Sequence, residues 1–512
     1  MTDISSNNKR IAKNTMLLYV RMLFLLIINL YTSRIVLQKL GVIDFGIYDV
    51  VGGIIAMLGF MNSSLSAASS RFITYDIGAG NMEDLKSTFG NILSIHFIMA
   101  IFILVIGETI GLWFLRTQLQ IPVDRQFAAF WVFQFSILTS IINIISVPYN
   151  ALIIGHERMS AFAYISIIEA TLKLLAVFML AVSDFDKLIL YSLLLFLVQV
   201  VVRFVYGFYS NKHFEEAHTK LCYDKKRFRE IFSFAGWTMN GNLAVIGYTQ
   251  GLNVLLNMFF GPAVNAARGL AVQVQNACSQ FCSNFQMALN PQLTKNYAKG
   301  DLEDMHKLLK LSSKFSFFIL LFIAMPIMFE AEFVLKIWLK DVPEHTANFL
   351  RLVLVPGLLY TLANPIIMSV HATGKLKKFQ IVEGSLLLMI VPIAYLFLKL
   401  FDIEPEWVFV VHIVVELFTQ YARLRIVLPM IKMDLSDYIK GVIYPVLIVS
   451  VLTSVIPYFV DGYIRTEWGN FIMVCVACTI SNIFIMYLLG CSKGEKQFFR
   501  GKLMNVFARR FI

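Results

Sequence analysis

Residues 261–307 read GPAVNAARGLAVQVQNACSQFCSNFQMALNPQLTKNYAKGDLEDMHK. The stretch opens on Gly261 after an apolar run, carries Arg268 into the next one, and closes in the polar turn Lys299–Asp304. About 220 residues earlier the chain reads GVIDFGIYDVVGGIIAMLGFMNSSLSAASSRFITYDIGAGNMEDLKS, and the two stretches align without a gap. Gly41 falls on Gly261, Ser63 on Ser283, Ala68 on Ala288, Gly80 on Gly300, Glu83 on Glu303 and Asp84 on Asp304. Opening glycines and Gly-x-x-Glu-Asp endings that share one offset indicate an internal duplication. The period is too long for a solenoid and fits two pseudo-symmetric lobes.

Of the 512 residues, 58% are hydrophobic and 15% charged, and the mean hydropathy is +0.70. Soluble chains carry about a quarter charged residues. Apolar runs long enough to cross roughly 30 Å of hydrocarbon recur along the whole length, so the chain reads as a polytopic membrane protein. A net charge of +11 would suggest nucleic acid as a partner of a soluble chain. Here no nucleic acid is expected, because positive loops orient membrane proteins. No cleavable signal is expected: residues 1–13 are polar, and the apolar run that follows is too long and lacks a small-residue cleavage site. Cys278/Cys282 and Cys475/Cys478 lie a turn apart in apolar helices with no histidine at ligand spacing, so they read as buried apolar residues and no metal site is expected.

The periodicity gives spans at 14–37, 44–72, 89–115, 127–154, 161–182, 188–209, 230–257, 263–290, 313–335, 347–372, 380–401, 407–430, 441–461 and 469–490. The expected fold class is therefore an all-α polytopic membrane protein of about 14 transmembrane helices. It comprises two pseudo-symmetric six-helix lobes and an extra C-terminal helix pair. With the first span running inside to outside, about 28 of the 44 Lys and Arg fall in cytoplasmic loops or tails. Lys220–Arg229 (KLCYDKKRFR), Lys375–Lys378 and the tail from Lys493 contribute most, and both termini are expected in the cytoplasm. The domains follow: 1–212 as the first lobe, 213–430 as the second with its basic linker, and 431–512 as the extra pair and basic tail. An even number of spans per lobe makes the repeats parallel. A second echo agrees: Pro148 leads to Gly155–Arg158 (GHER) and Pro365 to Gly374–Lys377 (GKLK).

Asn81 and Asp301 suit the N-caps of the third and ninth helices, with Asp84 and Asp304 at N3, where carboxylates offset free N–H groups. Capping is the preferred reading of these turns over a ligand role. The outer loops are short, and no P-loop, nucleophile elbow, H-E-x-x-H or redox CxxC occurs. No enzymatic activity and no cofactor are expected. Any work done would draw on a partner or on an H⁺ or Na⁺ gradient.

Ionisable residues inside spans are costly and mark cavities or partners. Helix 1 carries Arg21, Asn29 and Arg34; helix 2 carries Asp44, Asp49 and Arg71; helix 5 carries Glu169 and Lys173 at i,i+4. Others are Glu108, Arg203, Arg268, Arg351, Glu383 and Glu416. Arg34, Arg71, Glu108 and Arg351 lie near an expected interface, where snorkelling is the plain alternative. Arg268 has no acid within four residues and sits among small and amide residues (Asn265–Leu270, NAARGL, then Gln273, Gln275, Asn276 and Gln280), which suits a wet lumen. Arg268, Arg21, Arg71 and Arg203 are the candidate substrate-binding residues, and Glu169 and Glu416 the candidate ion-coupling residues. A cavity with surplus arginine suits an anion, phosphate above all.

The two lobes, the long second helix closing on Gly-x-x-Glu-Asp, the NAARGL opening of helix 8 and the extra pair resemble the multidrug/oligosaccharidyl-lipid/polysaccharide flippase superfamily over essentially the whole chain. The nearest branch by this resemblance is the polysaccharide transporters, which flip O-antigen or capsule repeat units on undecaprenyl diphosphate. The resemblance implies alternating access in a bacterial inner membrane, with cationic lumen residues meeting the diphosphate. It also implies a lipid-linked oligosaccharide and membrane lipids as partners, with a polysaccharide polymerase and a chain-length regulator alongside. The lipid II flippases of the superfamily carry arginines on helices 1, 2 and 8, matched here by Arg21 and Arg268 and loosely by Arg71. Two alternatives remain: a cation-coupled multidrug antiporter of the same superfamily, and a polysaccharide polymerase, against which the short outer loops and the duplication argue.

Overall fold

A computed structural model describes residues 14–29, isolated positions between 31 and 51, and residues 59–117, 121–260, 262–339, 342–401, 403–464, 466–492 and 494–497. It is about 90% helical, with no strand among the described residues. Lipid explains this economy: hydrocarbon offers no hydrogen bonds, so each spanning segment must satisfy its own backbone, which a helix does.

In chain order the helices are α1 (Asn14–Asn29), α2 (Gly59–Ala79), α3 (Met82–Thr117), α4 (Val123–Gly155), α5 (Met159–Val182), α6 (Lys187–His213) and α7 (Lys225–Phe260). There follow α8 (Pro262–Ala298), α9 (Leu302–Phe329), α10 (Thr346–Thr373), α11 (Lys377–Phe401), α12 (Trp407–Met430), α13 (Leu435–Val460) and α14 (Glu467–Gly490). Among the described residues, 11 helices are long and apolar enough to span a bilayer. The other three expected spans correspond to α1, α2 and α8. Expected spans 14–37 and 44–72 run into positions outside the described residues, as do Arg34, Asp49 and most of the basic tail. The α8 helix is long, but its amides dilute its hydropathy.

The chain divides into two compact units, Met1–Leu243 with Ala288–Asp301, and Ala244–Met287 with Leu302–Ile512. In the first, α4 packs on α2, α3 and α6, and α5 packs on α6. In the second, α10 packs on α9 and α12, and α11 packs on α12. The pairings α3/α4, α4/α6 and α5/α6 thus recur six helices later as α9/α10, α10/α12 and α11/α12, as a duplication requires. The helices α13 and α14 pack on each other and on α9. Large apolar side chains such as Trp113, Phe204, Phe208 and Phe484 stay exposed, a surface that suits lipid rather than water.

The duplicated turns have matching geometry. Gly80 and Gly300 both have φ of +76°, the left-handed conformation that glycine adopts without a Cβ penalty. The Asn81 side chain accepts from the backbone N–H groups of Glu83 (3.1 Å) and Asp84 (3.3 Å), capping α3. The basic linker is fastened to the first unit. Arg227 donates to both oxygens of the buried Asp76 carboxylate (2.9 and 2.8 Å) and to Thr88 Oγ1 (2.8 Å). Gly90 lets the linker approach α3, since a Cβ there would meet Cys222 Cβ at 2.7 Å.

Candidate functional site

In the first unit the candidate arginines rest on aromatic faces. The Arg21 guanidinium lies 4.5 Å from the Phe162 ring centroid, and its buried Nε has no hydrogen-bond partner among the described residues. Arg203 on α6 lies 3.9 Å over Tyr149 of α4. Gly207, one turn on, leaves it that space: a Cβ there would meet Arg203 Nη1 at 2.7 Å. Arg71 packs on Phe72 (4.2 Å) and Tyr75 (4.8 Å), with Phe234 of α7 at 5.8 Å. Ring faces hold guanidinium groups by their quadrupole and leave N–H groups for another acceptor.

Glu169 is neutralised where it stands. Lys173 Nζ donates to its Oε1 at 2.6 Å and Gln199 Nε2 at 3.0 Å, the local pair that the i,i+4 spacing suggests. Its charge also acts on Arg21, so α1 and α5 bring two of the singled-out residues into one cluster. Asp44 is an ion-pair partner of Arg125, which reaches Asp186 at 2.7 Å as well. Away from the spans, His156 bonds Glu216 at 2.6 Å. Burial alone would raise the Glu216 carboxyl, but this hydrogen bond holds it below the usual carboxylate range.

The second unit holds Arg268 and Glu416. Arg268 is 7% exposed. Its Nη1 donates to Asn253 Oδ1 of α7, and Asn253 donates in turn to Gln250 Oε1 at 3.0 Å. Its buried Nε has no partner, and no carboxylate pairs with it among the described residues. Tyr248 of α7 lies against His412 of α12, the rings tilted by 56° with centroids 5.2 Å apart, and the Arg268 charge acts on that histidine.

Glu416 is not alone. Arg423, two turns on along α12, donates through Nη1 to Glu416 Oε1 (2.5 Å) and to Gln420 Oε1 (3.2 Å), and through Nε to Glu383 Oε1 of α11 (2.7 Å). Sequence reasoning missed Arg423 and Asn253. The signal for the first was present, since Glu416, Gln420 and Arg423 stand at i, i+4 and i+7 on one helical face. The partner on α11 is not legible from spacing.

The sequence matches no family model and no curated protein. The structure is similar to an outward-facing multidrug resistance MATE family transporter of the MOP superfamily, with a TM-score of 0.71 and 14% identity over 83% of this chain and 96% of that one. It is also similar to a MATE transporter from Vibrio cholerae (TM-score 0.67, 16% identity, 83% of this chain and 96% of that one). A third similar structure is a MOP superfamily transporter from Pyrococcus furiosus described as having a binding pocket of reverse polarity (TM-score 0.68, 15% identity, 84% and 97%). At these identities the likeness is one of architecture: the chain has the fold of the MATE transporters.

Proposed function

We propose that the chain is a flippase that carries an anionic, lipid-linked oligosaccharide across a bacterial inner membrane by alternating access, with both termini in the cytoplasm. The substrate of this reading is an O-antigen or capsule repeat unit on undecaprenyl diphosphate. A polysaccharide polymerase and a chain-length regulator would receive it. The observation that carries the reading is Arg268, buried and, among the described residues, with one amide partner, an unpartnered Nε and no carboxylate. An isolated cation at that depth is costly unless water or an anion meets it. Arg21 and Arg203, held by ring faces rather than carboxylates, support the same polarity.

The fold likeness favours a second reading, a cation-coupled multidrug antiporter. Against it, Glu169 is engaged by Lys173 and Glu416 by Arg423, so neither is free to receive a cationic drug. Either reading draws on an H⁺ or Na⁺ gradient, with Glu169 and Glu416 as the coupling candidates. Deleting the gene separates the two. The flippase reading expects a lipid-linked oligosaccharide to accumulate on the cytoplasmic leaflet, relieved by the wild-type gene and not by Arg268→Ala at equal expression. Unchanged lipid-linked pools with raised sensitivity to cationic drugs would favour the antiporter.

A further inference from the structure

Two buried carboxylates on one buried guanidinium leave a charge unbalanced. Glu383 on α11 and Glu416 and Arg423 on α12 have side-chain exposures of 10%, 5% and 2%, and both carboxylates take their bonds from the same arginine. Elsewhere a buried acid has a cation that no second buried acid shares: Asp76 has Arg227, whose other carboxylate contact is the exposed Glu230, and Glu157, which ends α4, has Lys295. With both carboxylates ionised, the triad would hold a net negative charge within the membrane-spanning part of the second unit. That state is among the most expensive in a low-dielectric medium. Among the described residues, no cation besides Arg423 pairs with either carboxylate. Tyr360 of α10 and Tyr248 of α7 are the other titratable groups that face the triad, and phenols are uncharged near neutral pH. Arg268 lies outside ion-pair distance of both carboxylates and spends its Nη1 on Asn253. His412 stands one turn before Glu416, against Tyr248.

We propose that Glu383 and Glu416 share one proton over Arg423, making the triad a proton-binding site of the second unit. A proton fits better than a metal ion. The guanidinium already occupies the place between the carboxylates, and among the described residues no group of His, Cys, Asp and Glu could hold a metal. A hard cation would want several oxygens around it, whereas a proton needs one. Gln420 completes the site: it is 6% exposed, accepts from Arg423, and leaves Nε2 as a buried donor without a partner. A water on that donor would give the proton a route in and out. The proposal deepens the assignment of Glu416 to ion coupling, yet it rests on charge balance in a membrane and not on what the chain carries.

The test is infrared difference spectroscopy of the purified full chain in lipid at neutral pH, exchanged between H₂O and D₂O. The expected result is a protonated-carboxyl C=O band that shifts in D₂O. It is lost in both Glu383→Gln and Glu416→Gln, because either change leaves Arg423 with a single carboxylate, and is kept in His412→Gln. Absence of the band from the wild type overturns the proposal without any variant having to fold. Loss in only one glutamine variant also overturns it, since that carboxyl would be protonated on its own account. A band that emerges only when Na⁺ is withdrawn makes Na⁺ the counter-ion and overturns the assignment of the proton.

Discussion

Glu157 sits in the left-handed region, with φ of +59°, and closes α4 through bonds from Glu157 N to Ile154 O and from Arg158 N to Ile153 O, each 2.9 Å. It stands at the ninth position after Pro148, and Gly374, at φ of +74°, at the ninth after Pro365. The two turns are the same turn, glutamate in one copy and glycine in the other. The sequence suggests Gly155 as the counterpart of Gly374, because a left-handed cap is expected on glycine. What holds a glutamate there is its carboxylate, which accepts from Lys295 Nζ at 2.5 Å and from Gln292 Nε2. The left-handed backbone costs a residue with a Cβ about 1–2 kcal/mol, while breaking a buried pair costs about 3–5 kcal/mol. The ion pair therefore wins, and Glu157→Gly should lower stability by roughly 2–3 kcal/mol despite its easier backbone. Glu157→Gly combined with Lys295→Met should recover most of the loss in thermal unfolding of the purified protein. Equal or higher stability of the single variant would show that the pair contributes nothing. Arg423 teaches the complementary point: its own helix advertises it, but Glu383 lies on another helix, and no spacing reveals that contact.

At the scale of the element, turns were legible and helix lengths were not. Gly80, Gly300 and the Asn81 cap follow from residue types that only a few backbone conformations require. The expected spans 230–257 and 263–290 fall short of Lys225–Phe260 and Pro262–Ala298. Hydropathy reports how far a segment is immersed, whereas its helical ends are set by caps beyond the apolar run. The expected span 313–335 merges two elements. The helix begins at Leu302, directly after Asp301 as the N-cap reading of that turn implies, and ends at Phe329, and a short separate helix runs Ala331–Leu339. Gly300→Ala tests the turn chemistry cleanly, because a Cβ there meets nothing within 4 Å and only the backbone objects. A cost of about 1–2 kcal/mol is expected, and about 0.5–2 kcal/mol for Asn81→Ala, both read by thermal unfolding. A neutral Gly300→Ala would mean that this turn does not hold its left-handed conformation in the membrane.

At the scale of the whole molecule, composition and the duplication were enough for the fold class, since a bilayer leaves an apolar chain few alternatives to helices. Orientation and cargo rest on charge. With single cysteines placed in a cysteine-free chain, position 225 should be protected from an impermeant thiol reagent in intact cells and position 404, also on an exposed residue, should react; the reverse pattern inverts the topology. The central claim is that Arg268 meets the anionic head of a lipid-linked oligosaccharide. A charge-assisted contact is worth about 1.5–3 kcal/mol, or roughly ten- to a hundredfold in binding. The most direct measurement is translocation of undecaprenyl-diphosphate-linked oligosaccharide across vesicles containing the purified protein, with wild type and Arg268→Ala compared at equal protein content and below saturation. The account predicts that wild type accelerates flipping well above protein-free vesicles and that Arg268→Ala loses about ten- to a hundredfold of that rate; equal rates for the two proteins, or no acceleration by either, would contradict it.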